Sequence, residues 1–206
     1  AFTSQVIVMC MIGIRIGHRI GKISQKKYHE MIHQLDNLPR SVSKILKKNK
    51  EIEKIASVIK KSKNCLFMGR GNSFPVALEG ALKLKEISYI HAEGYPAAEL
   101  KHGPIALIDN KMPVVVICTK SKEYNKTIAN ILEVKARKAL VIAIIDNKNK
   151  SISKMVDYSI MVPEVKNEFS PIINIIPLQL LAYHVAKLKG YDVDKPRNLA
   201  KSVTVE

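Results

Sequence analysis

Cys65-Leu66-Phe67-Met68-Gly69-Arg70-Gly71-Asn72-Ser73-Phe74-Pro75 reads as an apolar strand, a glycine turn and the start of a helix. The glycines permit a tight turn, and Ser73 is placed to cap a helix that Pro75 is pre-set to begin. The helical run continues to Tyr89. At about 100° per residue, Glu79, Lys83 and Glu86 fall within roughly 60° of one face. Val76, Ala77, Leu78, Ala81, Leu82, Leu84 and Ile87 occupy most of the remainder. A helix apolar over most of its circumference is expected to be buried, so the charged stripe should line an internal cleft or a polar seam. Buried charges need partners.

Outward from this stretch, strands and helices alternate. Strands are expected at residues 64–68, 90–93, 114–118, 140–145 and 158–162, and helices at 74–89, 122–138 and 172–189. A turn of helix is expected near 97–101 and a polar loop at 146–151. Near-continuous Val/Ile strands between helices argue an α/β fold: a mostly parallel five-stranded sheet covered on both faces. Before it lie an apolar helical segment at residues 3–20 and a helix at 24–37 that stops before Pro39. Two Lys-rich helices follow, at 41–48 and 51–61.

The chain has 206 residues, enough for one core with an appendage. Its three cysteines, Cys10, Cys65 and Cys118, are scattered in apolar runs. That suits free thiols in a reducing, cytoplasmic setting better than disulfides or zinc. The net charge of +16 raises the question of nucleic acid. The positive residues are mostly Lys, Trp is absent and aromatics are 5%, so bidentate phosphate recognition and stacking platforms are poorly supplied. The densest run, Lys44 to Lys63, interleaves lysines with Ile45, Leu46, Ile52, Ile55, Val58 and Ile59 at helical spacing, the pattern of a solvated helix face. No nucleic acid is expected as partner. The apolar run Val6–Ile14 is too short for a bilayer and is broken by Arg15, so no membrane is expected either.

Gly69-Arg70-Gly71-Asn72-Ser73, the run Glu79-Gly80-Ala81-Leu82-Lys83-Leu84-Lys85-Glu86-Ile87-Ser88-Tyr89, and Glu99-Leu100-Lys101-His102-Gly103-Pro104 carry a resemblance. With the ending Asp192-Val193-Asp194-Lys195-Pro196-Arg197-Asn198-Leu199-Ala200-Lys201-Ser202-Val203-Thr204-Val205-Glu206, they resemble the second sugar-isomerase (SIS) module of the glucosamine-6-phosphate synthase family, the glutamine–fructose-6-phosphate amidotransferases. The resemblance implies the SIS fold over residues 41–190. It also implies a helical connector from a first SIS module at 1–40 and a C-terminal tail at 191–206. A departure is Ala98, where many members have Gly.

Each site residue has a plain reading beside the one the family implies. Glu86 by spacing alone is a structural ion-pair partner of Lys83 or a proton carrier on a buried helix. The resemblance implies that it shuttles a proton between C1 and C2 of an opened sugar, with Lys83 assisting and Glu79 structural. His102 is either a solvated loop histidine or, as the family implies, the group that opens the fructose ring in the neighbouring subunit of a homodimer. Lys201 is either a surface lysine of a polar tail or the amine that forms a Schiff base with C2 of fructose 6-phosphate. Its neighbour Ala200 would contact the sugar through its backbone. The implied activity is glutamine–fructose-6-phosphate transaminase (isomerizing), giving glucosamine 6-phosphate without metal or cofactor. It would require a first SIS module and a glutaminase domain that these residues do not include. His29 and His33 are spaced i,i+4 but lack a second acidic or cysteine ligand nearby. The turn Gly69–Ser73 could hold an anion on backbone N–H groups. The alternative class is a non-catalytic SIS module that binds a sugar phosphate.

Overall fold

The computed structural model describes residues 2–146 and 150–199. Three helices come first: α1 (Phe2–Arg19), α2 (Gln25–Leu46) and α3 (Asn49–Ile59). The alternating part follows as β1 (Asn64–Gly69), α4 (Ser73–Ser88) and β2 (His91–Pro96), then two 3₁₀ turns at Ala97–His102 and Pro104–Leu107. It continues with β3 (Pro113–Cys118), α5 (Tyr124–Lys135), β4 (Leu140–Asp146), α6 (Lys150–Ser153) and β5 (Tyr158–Val162). A 3₁₀ turn at Asn167–Phe169 leads into α7 (Ser170–Leu188).

The five strands pair in the order β2-β1-β3-β4-β5, and every pairing is parallel. Side chains alternate across the sheet as the period of two requires. Cys65, Phe67, Val115, Ile117, Ile142 and Ile144 face one apolar layer that also contains α3, α4 and α7. Leu66, Met68, Val114, Val116, Cys118, Val141 and Ala143 face the other, against α5, α6 and the first 3₁₀ turn. The chain runs from β1 outward to β2 and then returns across β1 to β3. That reversal opens a crevice at the carboxyl ends of β1 and β3, where ligands of open parallel sheets bind. α7 is apolar all round because it lies in the core: its mean hydropathy over a membrane-length window is 1.4, and 72% of that window is buried in the fold.

Four expectations are corrected. Instead of stopping before Pro39 and restarting at 41, α2 runs unbroken through the proline. Met31, Leu38 and Ile45 are buried on one face with Leu35 and Val42 packed beside them. A continuous seam of that length offsets the interior proline, a loss of about 3 kcal/mol. At the start of α4 the capping position belongs to Asn72, which makes no side-chain cap bond, and Ser73 is already buried inside the helix. α4 itself is less enclosed than expected: Leu78 is 45% and Leu82 42% exposed, and the charged stripe is half-buried. Finally, α6 begins inside the expected polar loop.

Candidate functional site

At Gly69 the backbone turns so sharply that a β-carbon there would stand 2.2 Å from the Ser73 carbonyl oxygen. Only glycine fits. Gly71, at a φ of +51°, continues the turn. The amides of Ser73 and Phe74 bond the carbonyls of Arg70 and Gly71 at 2.9 and 3.1 Å and launch α4. The anion position expected at this turn is approached by the chain's own Glu123, whose Oε2 would lie 3.1 Å from a β-carbon at Gly71.

Along α4 the expected charged stripe forms. Lys83 Nζ donates to Glu86 Oε2 at 2.6 Å and stands 3.6 Å from Glu79 Oε1. The side chains are 13% (Glu79), 32% (Lys83) and 26% (Glu86) exposed. Burial alone would lower the Lys83 pKa. The hydrogen bond to Glu86 and the charges of Glu79 and Glu86 outweigh it, and the ammonium is held above its ordinary range. Lys83 is therefore a fixed cation at neutral pH. It cannot serve as a base there, but it can steady negative charge while a carboxylate moves a proton.

His102 ends the first 3₁₀ turn, which is pinned by the fully buried Ala97 and Leu100. Its side chain is 76% exposed, and its Nε2 lies 3.9 Å from Glu99. Among the described residues no bond joins it to the α4 triad; His102 stands apart from Lys83 and Glu86 in hydrogen bonding. Ala200 and Lys201 lie outside the described residues. His29 and His33 bond their own helix neighbours Gln25 and Asn37 at 3.0 and 3.1 Å.

Sequence reasoning missed a polar relay that fastens the His102 segment. Arg70 Nε donates to Asn130 Oδ1 at 2.8 Å, and Asn130 Nδ2 donates to Glu133 Oε2 at 3.0 Å. Glu133 Oε1 in turn pairs with Lys101 Nζ at 2.8 Å. Burial would raise the Glu133 pKa, yet the bonds from Lys101 and Asn130, with the charges of Lys101 and Arg70, bring it below the ordinary carboxylate value. The clue available beforehand was a helical run carrying Asn130 beside the apolar Ile131 and Val134, with Glu133 one turn on.

Residues 58–189 match the family model for the SIS domain. The chain is 52% identical, over 206 residues, to the glutamine–fructose-6-phosphate aminotransferases [isomerizing] of Bacteroides thetaiotaomicron and Chlorobaculum tepidum. All of this chain is covered, but 34% and 33% of those proteins, so it spans about a third of the length of these curated relatives. Among solved structures, the C-terminal domain of glucosamine-fructose-6-phosphate aminotransferase from Francisella tularensis superposes with a TM-score of 0.89 at 37% identity. That match covers 95% of this chain and 55% of the other. A putative tagatose-6-phosphate ketose/aldose isomerase from Clostridium novyi, at a TM-score of 0.75 and 22% identity, shares the fold.

Proposed function

Because the chain belongs to the SIS domain family, we propose that it is the C-terminal portion of the isomerase half of a glutamine–fructose-6-phosphate aminotransferase. The observation that carries this reading is the Lys83–Glu86 pair at 2.6 Å on α4, in a chain half identical to enzymes of that name. The whole reaction converts fructose 6-phosphate and glutamine-derived ammonia into glucosamine 6-phosphate. It belongs to an intact, cytoplasmic chain that includes a first SIS module and a glutaminase domain.

In this reading His102 moves a proton from the anomeric hydroxyl to the ring oxygen, which opens the sugar. The Lys201 amine adds to the C2 ketone and water leaves, forming an imine. Ammonia displaces the lysine. Glu86 then takes a proton from C1 and returns it to C2, while the C1 hydroxyl gives up its proton and the imine nitrogen gains one, leaving the aldehyde at C1 and the amine at C2. The Lys83 cation faces the carboxylate through both transfers, and the Ala200 backbone contacts the sugar. The exposure of His102 supports its acting across a homodimer, in the neighbouring subunit.

The test is borohydride reduction of the intact enzyme with fructose 6-phosphate. A covalent adduct at Lys201 is expected, and it should vanish in Lys201→Ala. An adduct that persists in that variant would refute the assignment.

A further inference from the structure

We propose that Tyr89 is a positioning residue that fixes the course of the C-terminal segment at the end of α4, and with it the reach of Lys201. The proposal rests on the reading of Lys201 as the imine-forming amine. Tyr89 closes α4 in the left-handed region, at φ 59° and ψ 19°. That conformation is rare for a residue with a β-carbon. Three groups of the C-terminal segment converge on this side chain.

The Tyr191 ring meets Tyr89 edge-on, with centroids 4.8 Å apart. The Arg197 guanidinium lies over the Tyr89 ring at 4.2 Å, and the Arg197 backbone N–H donates to the Tyr89 hydroxyl at 2.8 Å. Lys189 lies over the outer ring, Tyr191, at 5.4 Å. Among the described residues the segment has few other attachments: the Tyr191 N–H donates to the Ala186 carbonyl of α7 at 3.0 Å, and from Tyr191 to Leu199 no residue is buried, with only Val193 and Pro196 at intermediate burial. A stretch without core contacts takes its path from its surface attachments.

Tyr89 follows Glu86 by three residues, about 4.5 Å along the helix axis. The attachment therefore sits at the same helix end as the proposed proton carrier. Lys201 is four positions beyond Arg197 in sequence, a distance along the chain that can span at most about 14 Å. Fixing Arg197 thus limits how far the lysine can stray from α4. A cation over a ring and a hydrogen bond are each modest, and their joint loss corresponds to roughly tenfold.

The experiment uses the intact enzyme and reads three quantities: the rate of borohydride-trapped adduct with fructose 6-phosphate, KM, and hydrogen exchange at the Arg197 amide. Tyr89→Asn tolerates the left-handed backbone and removes the ring. Tyr89→Phe removes the hydroxyl alone, and Arg197→Ala acts from the exposed side, where unfolding is not at issue. Tyr89→Asn should slow trapping by about tenfold and Arg197→Ala, which keeps the backbone donor, by about threefold, with KM and melting temperature little changed. Tyr89→Phe should chiefly speed exchange of the Arg197 amide. Native trapping rates in both Tyr89→Asn and Arg197→Ala, with trapping abolished in Lys201→Ala, would overturn the role of Tyr89 alone. Trapping retained in Lys201→Ala would overturn the reading beneath it as well.

Discussion

Lys83 and Glu86 face each other across a single helical turn at 2.6 Å, with Glu79 on the far side of the same ammonium. One cation thus serves two carboxylates, and its protonation is locked by them. Glu86→Gln keeps the shape and removes the proposed proton carrier, so isomerisation in the intact enzyme should fall about 10²–10⁴-fold with sugar binding retained. Lys83→Met should also slow the reaction, by about 10²-fold, because the carboxylate loses its facing charge. Steady-state kinetics with separately measured substrate affinity checks both. Equal losses of rate and affinity would point to collapse of the helix face instead.

Asn130 links Arg70 to Glu133 from a buried position. Asn130→Ala would strand both partners and should destabilise the fold by about 1–3 kcal/mol in urea titration. Glu133→Gln breaks a pair whose lysine is largely exposed, so stability should change by less than about 1 kcal/mol. Its effect should appear instead in turnover, through the loosened segment that carries His102. A large stability loss with unchanged turnover would contradict this division.

His184 is 2% exposed. Its Nε2 meets Asn49 Oδ1 at 2.6 Å, while its buried Nδ1 has no hydrogen-bond partner among the described residues. Burial lowers its pKa from 6.5; Glu53 opposes the shift and Lys187 adds to it. The unfolded ring therefore takes up a proton before the folded one does. Stability should be flat above about pH 7 and decline as pH falls through 6.5 toward the lower folded value. Urea midpoints between pH 5 and 7 test this, and His184→Gln should flatten the slope. An unaltered slope in that variant would assign the effect elsewhere.

Gly69→Ala places a methyl group against the Ser73 carbonyl, a backbone atom that cannot step aside. A loss of about 3 kcal/mol or more is expected, measurable by thermal unfolding. A variant of native stability would mean that the turn relaxes more freely than its geometry implies.

Much of this architecture was legible in the chain. The Val/Ile strands marked a covered parallel sheet, and the spacing of Glu79, Lys83 and Glu86 placed three charges on one face before any coordinates. The breakdown at Pro39 is instructive. The proline rule weighs one lost hydrogen bond, whereas the helix is held by a seam from Met31 to Ile45 that only tertiary packing supplies. Leu78 and Leu82 look like core residues in sequence, because hydropathy cannot tell which apolar face of α4 the sheet covers. The relay from Arg70 to Asn130 spans 60 residues and that from Arg197 to Tyr89 spans 108. Such pairs leave no periodic trace. The tail residues Ala200 and Lys201 were singled out by resemblance alone and lie outside the described residues.

The two sheet thiols have a practical use. Cys65 points into the layer of α3, α4 and α7, and Cys118 into the layer of α5. Burial pushes both pKa values up, that of Cys118 to about 12 with help from Asp146. An alkylating reagent at neutral pH should therefore spare them while the sheet is closed and mark Cys10, which is half-buried, first. Because the thiols lie on opposite faces, the order in which they become labelled in rising denaturant would time the departure of each helical layer separately.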